Sequence, residues 1–323
     1  MIDSNVMKSL YRTMMRIRLF EEKIIQLYAQ GFIPGHVHLY IGQEPIAAGI
    51  CAHLRDADFI FTTHRPHGHM IAKGGEFDKM LIEIFGKTGG YNKGKGGHMH
   101  LSSRKLHLIS TAIVGGGFGP SIGTSLAQKI NKKGDLTVCF FGDGAANQGL
   151  LYEAMNMAVL WKLPLLFVCE NNKYAISTPV EVSTGGPSVF ERGKAFGIPS
   201  LLVDGYNPEE MYETGKEIVN RARQGGGPSF LEVKTYRLRG HREGDPQGYR
   251  TKEEVAEWRK KDPVKAFKAK LLETKVLTSE EDASIIKSIE DEIEKAVQAA
   301  KEMPYPELET AYEDVYSTKI DAR

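Results

Sequence analysis

Thr137-Val-Cys-Phe-Phe-Gly-Asp-Gly-Ala-Ala-Asn-Gln-Gly149, followed after a helical segment by Leu165-Leu-Phe-Val-Cys-Glu-Asn-Asn-Lys-Tyr174, decides the reading of this 323-residue chain. The first apolar run, rich in β-branched and aromatic residues, breaks at Gly142-Asp143-Gly144, the punctuation expected where a buried strand ends. Leu151, Ala154, Met155, Ala158 and Val159 then recur at helical spacing until Pro164. A second apolar run, residues 165–168, ends at Glu170-Asn171-Asn172. The pattern predicts a strand–helix–strand unit with polar residues at both strand ends. In open α/β sheets ligands bind outside those ends.

Asp143 sits between two glycines, where the backbone can approach a ligand closely. Asn172 follows 29 residues later at the next strand end. A carboxylate and an amide carbonyl form a hard-oxygen pair that suits Mg²⁺ or Ca²⁺; Mg²⁺ commonly completes its shell with water and phosphate oxygens. Either motif alone also reads as a turn or a helix cap. At successive strand ends they read as a site for a metal-bridged diphosphate.

Size and composition bound the alternatives. The chain is long enough for a large core, and length alone suggests about two domains. With 42 basic and 41 acidic residues the net charge is +1, which points to neither nucleic acid nor an anionic membrane. No apolar stretch approaches the about eighteen residues of a membrane span. The N-terminus shows no signal pattern, and Asp3, Glu21 and Glu22 argue against a transit peptide despite Arg12, Arg16 and Arg18. Cys51, Cys139 and Cys169 form no Cys-x-x-Cys pair and read as core thiols of a reducing compartment. The expectation is a soluble, cytoplasmic protein.

Elsewhere, residues 7–29 read as an amphipathic helix that Gly31 ends, and residues 46–54 as a second. Between them His36 and His38 could form a metal clamp. Arg65, in Thr63-His-Arg-Pro-His67, is a natural phosphate ligand because its planar fork binds two oxygens. Residues 89–100, glycine-rich with Lys93 and Lys95, read either as a phosphate cradle or as a mobile surface loop. Gly117, Gly119 and Gly123 approximate a dinucleotide fingerprint, but no clear strand precedes them and Asp135 precedes the next strand instead of ending it. Nicotinamide binding is therefore rejected. Further strands at residues 201–204 and 229–236, alternating with helices, predict an α/β fold with a doubly wound parallel sheet and flanking helices. Helical extensions are expected at about residues 1–55 and 252–323, the latter packing on the sheet or on a partner subunit.

Gly142-Asp-Gly144 through Trp161-Lys-Leu-Pro164 to Glu170-Asn-Asn-Lys-Tyr-Ala175 resembles the thiamine diphosphate signature of the α subunits of 2-oxo acid and acetoin dehydrogenases. The resemblance extends from about Leu10 to Glu313. It implies one thiamine diphosphate-binding α/β domain over residues 1–323, with Mg²⁺ on Asp143, Asn172 and the Tyr174 carbonyl. It implies diphosphate contacts from Gly142, Gly144, Ala145, Arg65 and His241, and main-chain contacts to the aminopyrimidine from Ala112 and Val114. The family segment usually reads Tyr-Arg-x-His-Gly; His64 stands in the tyrosine's place and is carried over as a cofactor contact, with His67 as a structural histidine. His38, in His38-Leu-Tyr40, matches the histidine that faces the thiazolium. His38 and His241 are the implied catalytic residues.

The resemblance further implies a β subunit that supplies the glutamate activating the cofactor, in a heterotetramer of two α and two β chains. The acyl fragment of a pyruvate- or acetoin-type substrate would pass to a lipoyl group on an acyltransferase component. Branched-chain 2-oxo acids are the alternative. In mitochondrial pyruvate dehydrogenase a phosphorylated serine follows the His241 equivalent; here Arg242 follows it, and Gly248 takes a later serine's place. Two readings of other classes compete: a zinc hydrolase using His36, His38, His64, His67, His98 and His100, which stoichiometric zinc would support, and a non-catalytic scaffold that fails to bind the cofactor.

Overall fold

The computed structural model describes residues 2–314 and 316. In chain order the elements are α1 (Ser4–Ala29), α2 (Glu44–Cys51), β1 (Phe59–Thr62), α3 (His67–Ala72), α4 (Phe77–Ile84) and β2 (Leu108–Ser110). They continue with α5 (Phe118–Asn131), β3 (Thr137–Gly142), α6 (Gly149–Leu160), β4 (Leu165–Asn171), the two-residue strands β5 (Tyr174–Ala175) and β6 (Thr178–Pro179), α7 (Val180–Ser183) and α8 (Glu191–Ala195). The chain closes with β7 (Ser200–Asp204), α9 (Pro208–Arg223), β8 (Ser229–Lys234), α10 (Lys252–Lys260), α11 (Pro263–Glu273) and α12 (Ser279–Glu302). No described helix is long and apolar enough to cross a membrane.

Six strands form one all-parallel sheet in the order β2-β1-β3-β4-β8-β7, while β5 and β6 pair separately as an antiparallel ribbon. The expected doubly wound sheet is present, with β1 and β2 added to what the sequence predicts. From β1 the chain steps outward to β2, then crosses to the other side of β1 to lay down β3. That reversal creates a crevice between the carboxyl ends of β1 and β3, the place where this topology binds ligands.

Both faces of the sheet are covered, which is why β3 and β4 read as unbroken apolar runs. Alternation still sorts their side chains. Val138, Phe140, Leu166 and Val168 join a large core with α1, α2, α4, α9, α11 and α12. Cys139, Phe141, Leu165, Phe167 and Cys169 face a second core with α5 and α6. The three cysteines are buried and free, as expected of core thiols.

Helix boundaries follow local chemistry. Asn207 caps α9 by accepting from the Glu209 and Glu210 amides, with Pro208 opening the helix. Thr278 and Glu281 form a reciprocal capping box on α12. Of the two placements expected for the C-terminal helices, the sheet is not where they mainly lie: α12 packs chiefly against α1 and α4, and α11 against α1 and α2. Their apolar stripes are used by the N-terminal helix, tied by bidentate Arg16–Glu292 contacts and by Arg18 between Glu44 and Asp262. The end of the predicted tail, residue 315 and residues 317–323, lies outside the described residues.

A strand does precede the Gly117–Gly119–Gly123 run, contrary to the sequence expectation: the three-residue β2. A dinucleotide unit needs its two strands side by side, and β1 lies between β2 and β3. The glycine run opens α5 instead.

Candidate active site

The crevice at the β1/β3 reversal opens into a cleft of about 380 Å³. Five of the six strand ends deliver residues to it: Thr62, His64 and Arg65 at the end of β1, Ala112 and Val114 after β2, and Gly142, Asp143, Gly144 and Ala145 at the end of β3. Asn172 and Tyr174 come from the end of β4, Arg237 and His241 from the segment after β8, and His38 from the stretch before α2. All of the residues that the resemblance implies as metal, cofactor or catalytic contacts therefore line one cavity.

At its floor Asp143 is buried, and its Oδ2 has no hydrogen-bond partner. Burial outweighs the stabilising amides and Arg237 and pushes its carboxyl up to about 6. The Asn172 amide donates to Gln43 Oε1 at 3.1 Å, and its Oδ1 receives only a long contact from the Tyr174 amide, 3.5 Å. The Tyr174 carbonyl accepts from Arg237 Nη1 at 3.2 Å. Two hard side-chain oxygens and a carbonyl, one oxygen unpartnered and buried, are the donor set that a Mg²⁺ ion fits. Gly144 could not be otherwise: a Cβ there would lie 2.6 Å from that of Ala175.

Arg65 and Arg237 face the same cleft, and both are buried. Arg65 donates to the carbonyls of Leu39 and His241, each at 2.7 Å. Arg237 donates to the carbonyls of Tyr174 and Ile176 and to the Tyr249 hydroxyl. Among the described residues neither guanidinium has a carboxylate in an ion pair. Burial and the neighbouring Arg237 pull Arg65 down to about 9. Burial and Arg65 likewise hold His38 down to about 3 and His241 to about 4, and push His64 well below its ordinary value. Two buried cations with no ion-paired carboxylate give this end of the cleft a positive character suited to an anionic group.

Nearly the whole length of the chain is similar to known proteins. Residues 12–309 match the family described as dehydrogenase E1 component. The chain belongs to that family. It is 45 % identical over 313 residues to the α subunit of the acetoin:2,6-dichlorophenolindophenol oxidoreductase of Bacillus subtilis, covering 95 % of this chain and 92 % of that one. The corresponding subunit from Cupriavidus necator is 43 % identical over 317 residues, 98 % and 95 % of the two chains. The pyruvate dehydrogenase E1 component subunit α of Rhizobium meliloti is 40 % identical over 307 residues, 94 % and 88 %.

Within this E1 component fold the histidines divide. One ring nitrogen each from His38, His64 and His241 lie within 4.8 Å of one another. The other histidines of the zinc reading do not join them. His36 and His100 are exposed, and His67 is committed to Glu21 at 3.0 Å. His98 instead backs His38 from behind, with Nε2 3.1 Å from His38 Nδ1.

The glycine-rich loop is not a phosphate cradle. Its amides at Asn92, Gly94 and Gly96 all donate to the buried carboxylate of Glu83, at 2.7–2.9 Å. Lys93 and Lys95 pair with Asp314 outside the cleft. The loop does bind an anion through its backbone, but the anion is internal.

Arg237 and Gln43 were missed by sequence reading, and His98 entered it only as a candidate zinc ligand. Arg237 was findable, since it follows β8 as Asp143 follows β3. Gln43 and His98 act across 129 and 60 residues of chain, so no local pattern marks them.

Proposed function

We propose that this chain is the α subunit of an acetoin-type E1 enzyme, binding thiamine diphosphate through Mg²⁺. The observation that carries this is the pairing of an unpartnered, buried Asp143 oxygen with two buried guanidiniums that lack anions, at the topological reversal of the sheet. Asp143, Asn172 and the Tyr174 carbonyl would hold the metal. Arg65, Arg237, His64 and His241 would neutralise and orient the diphosphate, while Gly142, Gly144 and Ala145 bring their backbone close to it. Ala112 and Val114 would offer main-chain groups to the aminopyrimidine.

When bound, thiamine diphosphate supplies the electron sink for cleaving a bond next to the substrate carbonyl. The chain's own part is to neutralise the diphosphate, to keep the cleft walls dry with Phe118, Phe140 and Phe141, and to set His38 and His241 beside the reacting end. The acyl fragment would pass to a lipoyl group of an acyltransferase component. A β subunit would complete the site in a two-α, two-β assembly. Ile113, Val114 and Ile176, apolar and largely exposed at the cleft rim, support a site that another chain closes.

Acetoin is favoured by the two oxidoreductase relatives. Pyruvate is the second reading, supported by the Rhizobium relative. The test is reduction of an artificial electron acceptor by this chain co-expressed with its β partner, offered acetoin, pyruvate or branched 2-oxo acids. Turnover of acetoin that requires both chains is expected. Preference for a branched 2-oxo acid would contradict the assignment.

A further inference from the structure

His38, His64 and His241 reach the cleft from three separate segments: the stretch before α2, the end of β1 and the segment after β8. The His38 ring is centred 4.8 Å from each of the other two, edge-on to both, and the His64 and His241 rings are 5.6 Å apart. His38 is buried and its two neighbours are half-buried.

Their nitrogens are free to ligate. His38 Nδ1 is turned to His98 Nε2, 3.1 Å away, which leaves Nε2 of that ring. His241 Nδ1 has only a long contact with Arg65 Nη2, 3.5 Å. His64 Nε2 is buried and has no hydrogen-bond partner. Burial first, and then Arg65, holds all three rings well below the usual imidazole range, so at neutral pH each carries a lone pair in place of a second proton. One nitrogen from each ring lies within 4.8 Å of the others. Zn–N bonds of about 2.0–2.1 Å would bring three such nitrogens to about 3.3 Å from one another. That closure needs a shift of about 1 Å per nitrogen, within reach of ring rotation about the soft terminal torsion of histidine.

We propose that His38, His64 and His241 together bind an imidazole-seeking divalent metal, Zn²⁺ foremost, with a fourth position open to water, and that this metal blocks the cleft. Three neutral nitrogens and an open position are a zinc donor set, whereas Mg²⁺ seeks oxygen and belongs with Asp143. Arg65 repels any cation here, so an ion held by charge alone is excluded and one that bonds to nitrogen is retained. Bound there, zinc takes the lone pairs of the imidazoles set beside the reacting end. It also occupies the side of the cleft that His64 and His241 offer to the diphosphate. The block rests on the function proposed above; the metal site rests on the three rings alone.

Co²⁺, which accepts the same ligands and absorbs visible light, is the probe. The full chain assembled with its β partner is titrated with Co²⁺ in excess Mg²⁺, without thiamine diphosphate. One Co²⁺ per α chain is expected, with the intense absorption of a four-coordinate site and displacement by Zn²⁺. His64→Gln and His241→Gln should each weaken Co²⁺ binding at least about tenfold, since even an outer partner of a ligand is worth that much. Asp143→Ala should leave it unchanged. Zinc-edge X-ray absorption of the wild type counts the imidazoles independently of any variant, and three are expected. In acetoin turnover Zn²⁺ should inhibit at the concentrations that displace Co²⁺. No four-coordinate spectrum in the wild type, fewer than three imidazoles on zinc, unchanged binding in both histidine variants, or a spectrum lost in Asp143→Ala would overturn the site. Full turnover with zinc bound would overturn the block. An assembly that turns over none of the offered substrates before zinc is added would overturn the proposed function instead, and the metal spectra would still decide the site.

Discussion

Gln43 Oε1 accepts the Asn172 side-chain N–H at 3.1 Å, and this contact leaves Asn172 Oδ1 with only a long 3.5 Å contact from the Tyr174 amide. An asparagine amide can flip, and only one orientation presents oxygen to a cation. With its Oε1 turned to Asn172, Gln43, just before α2, favours that orientation. Gln43→Met should raise the Mg²⁺ concentration needed for half-maximal cofactor binding about tenfold, the scale of one lost hydrogen bond. A fluorescence titration with Mg²⁺ at fixed thiamine diphosphate measures it, and an unchanged midpoint would show that Asn172 is held by other means.

Asp143 gives a pH dependence with a definite sign. Burial raises its carboxyl to about 6 from an ordinary 3.8. Because the folded value is the higher, Asp143 favours the fold while protonated. That advantage is full below about pH 4 and is lost as pH rises through about 6. Asp143→Asn should therefore stabilise the metal-free chain at neutral pH by up to about 3 kcal/mol, and leave it unchanged near pH 4. The same substitution should abolish Mg²⁺-dependent cofactor binding. Thermal melts at the two pH values check the first statement; equal melting shifts at both would contradict it.

Arg237 is buried, with only neutral oxygens as partners. Arg237→Met should weaken thiamine diphosphate binding at least about tenfold, since a buried charge-assisted contact to phosphate is lost. It should also flatten the salt dependence of binding, which a purely structural role would not do. Calorimetry at two ionic strengths separates the outcomes.

Glu83 accepts three amides of the glycine-rich loop while fully buried. Glu83→Ala strands those donors and should cost about 3 kcal/mol, visible as a lower Tm. Hydrogen exchange should accelerate at Asn92, Gly94 and Gly96. Retained protection there would mean the loop is held by other contacts.

The segment around His241 is tied internally. Asp245 Oδ2 accepts from the His241 amide and the Tyr249 hydroxyl, both at 2.7 Å, while Arg250 donates to the carbonyls of Arg237 and Arg239, both at 2.6 Å. The loop should resist proteolysis without cofactor, and Arg250→Ala should expose it. Arg242 offers no hydroxyl beside His241, so phosphorylation should not regulate the enzyme here. Stoichiometric phosphate incorporation in this loop with loss of activity would refute that.

The parts of the site legible in the sequence are those made by strand ends. Runs 137–142 and 165–171 announce themselves because both sheet faces are buried, and Gly142-Asp-Gly144 and Asn171-Asn172 interrupt them abruptly. β1 and β2 escaped notice because four and three residues are too few to establish a period. The basic glycine loop misled because its composition shows that it binds an anion, while only the fold shows that the anion is Glu83. The placement of α12 depends on a face of α1 almost the whole chain away.

The most direct test of the central claim is calorimetric titration of the full chain, with its β partner, by thiamine diphosphate with and without Mg²⁺, beside Asp143→Ala. Saturable binding that requires Mg²⁺ and disappears in the folded Asp143→Ala protein is the predicted result. Equal binding with and without Mg²⁺, or unchanged affinity in Asp143→Ala, would contradict it.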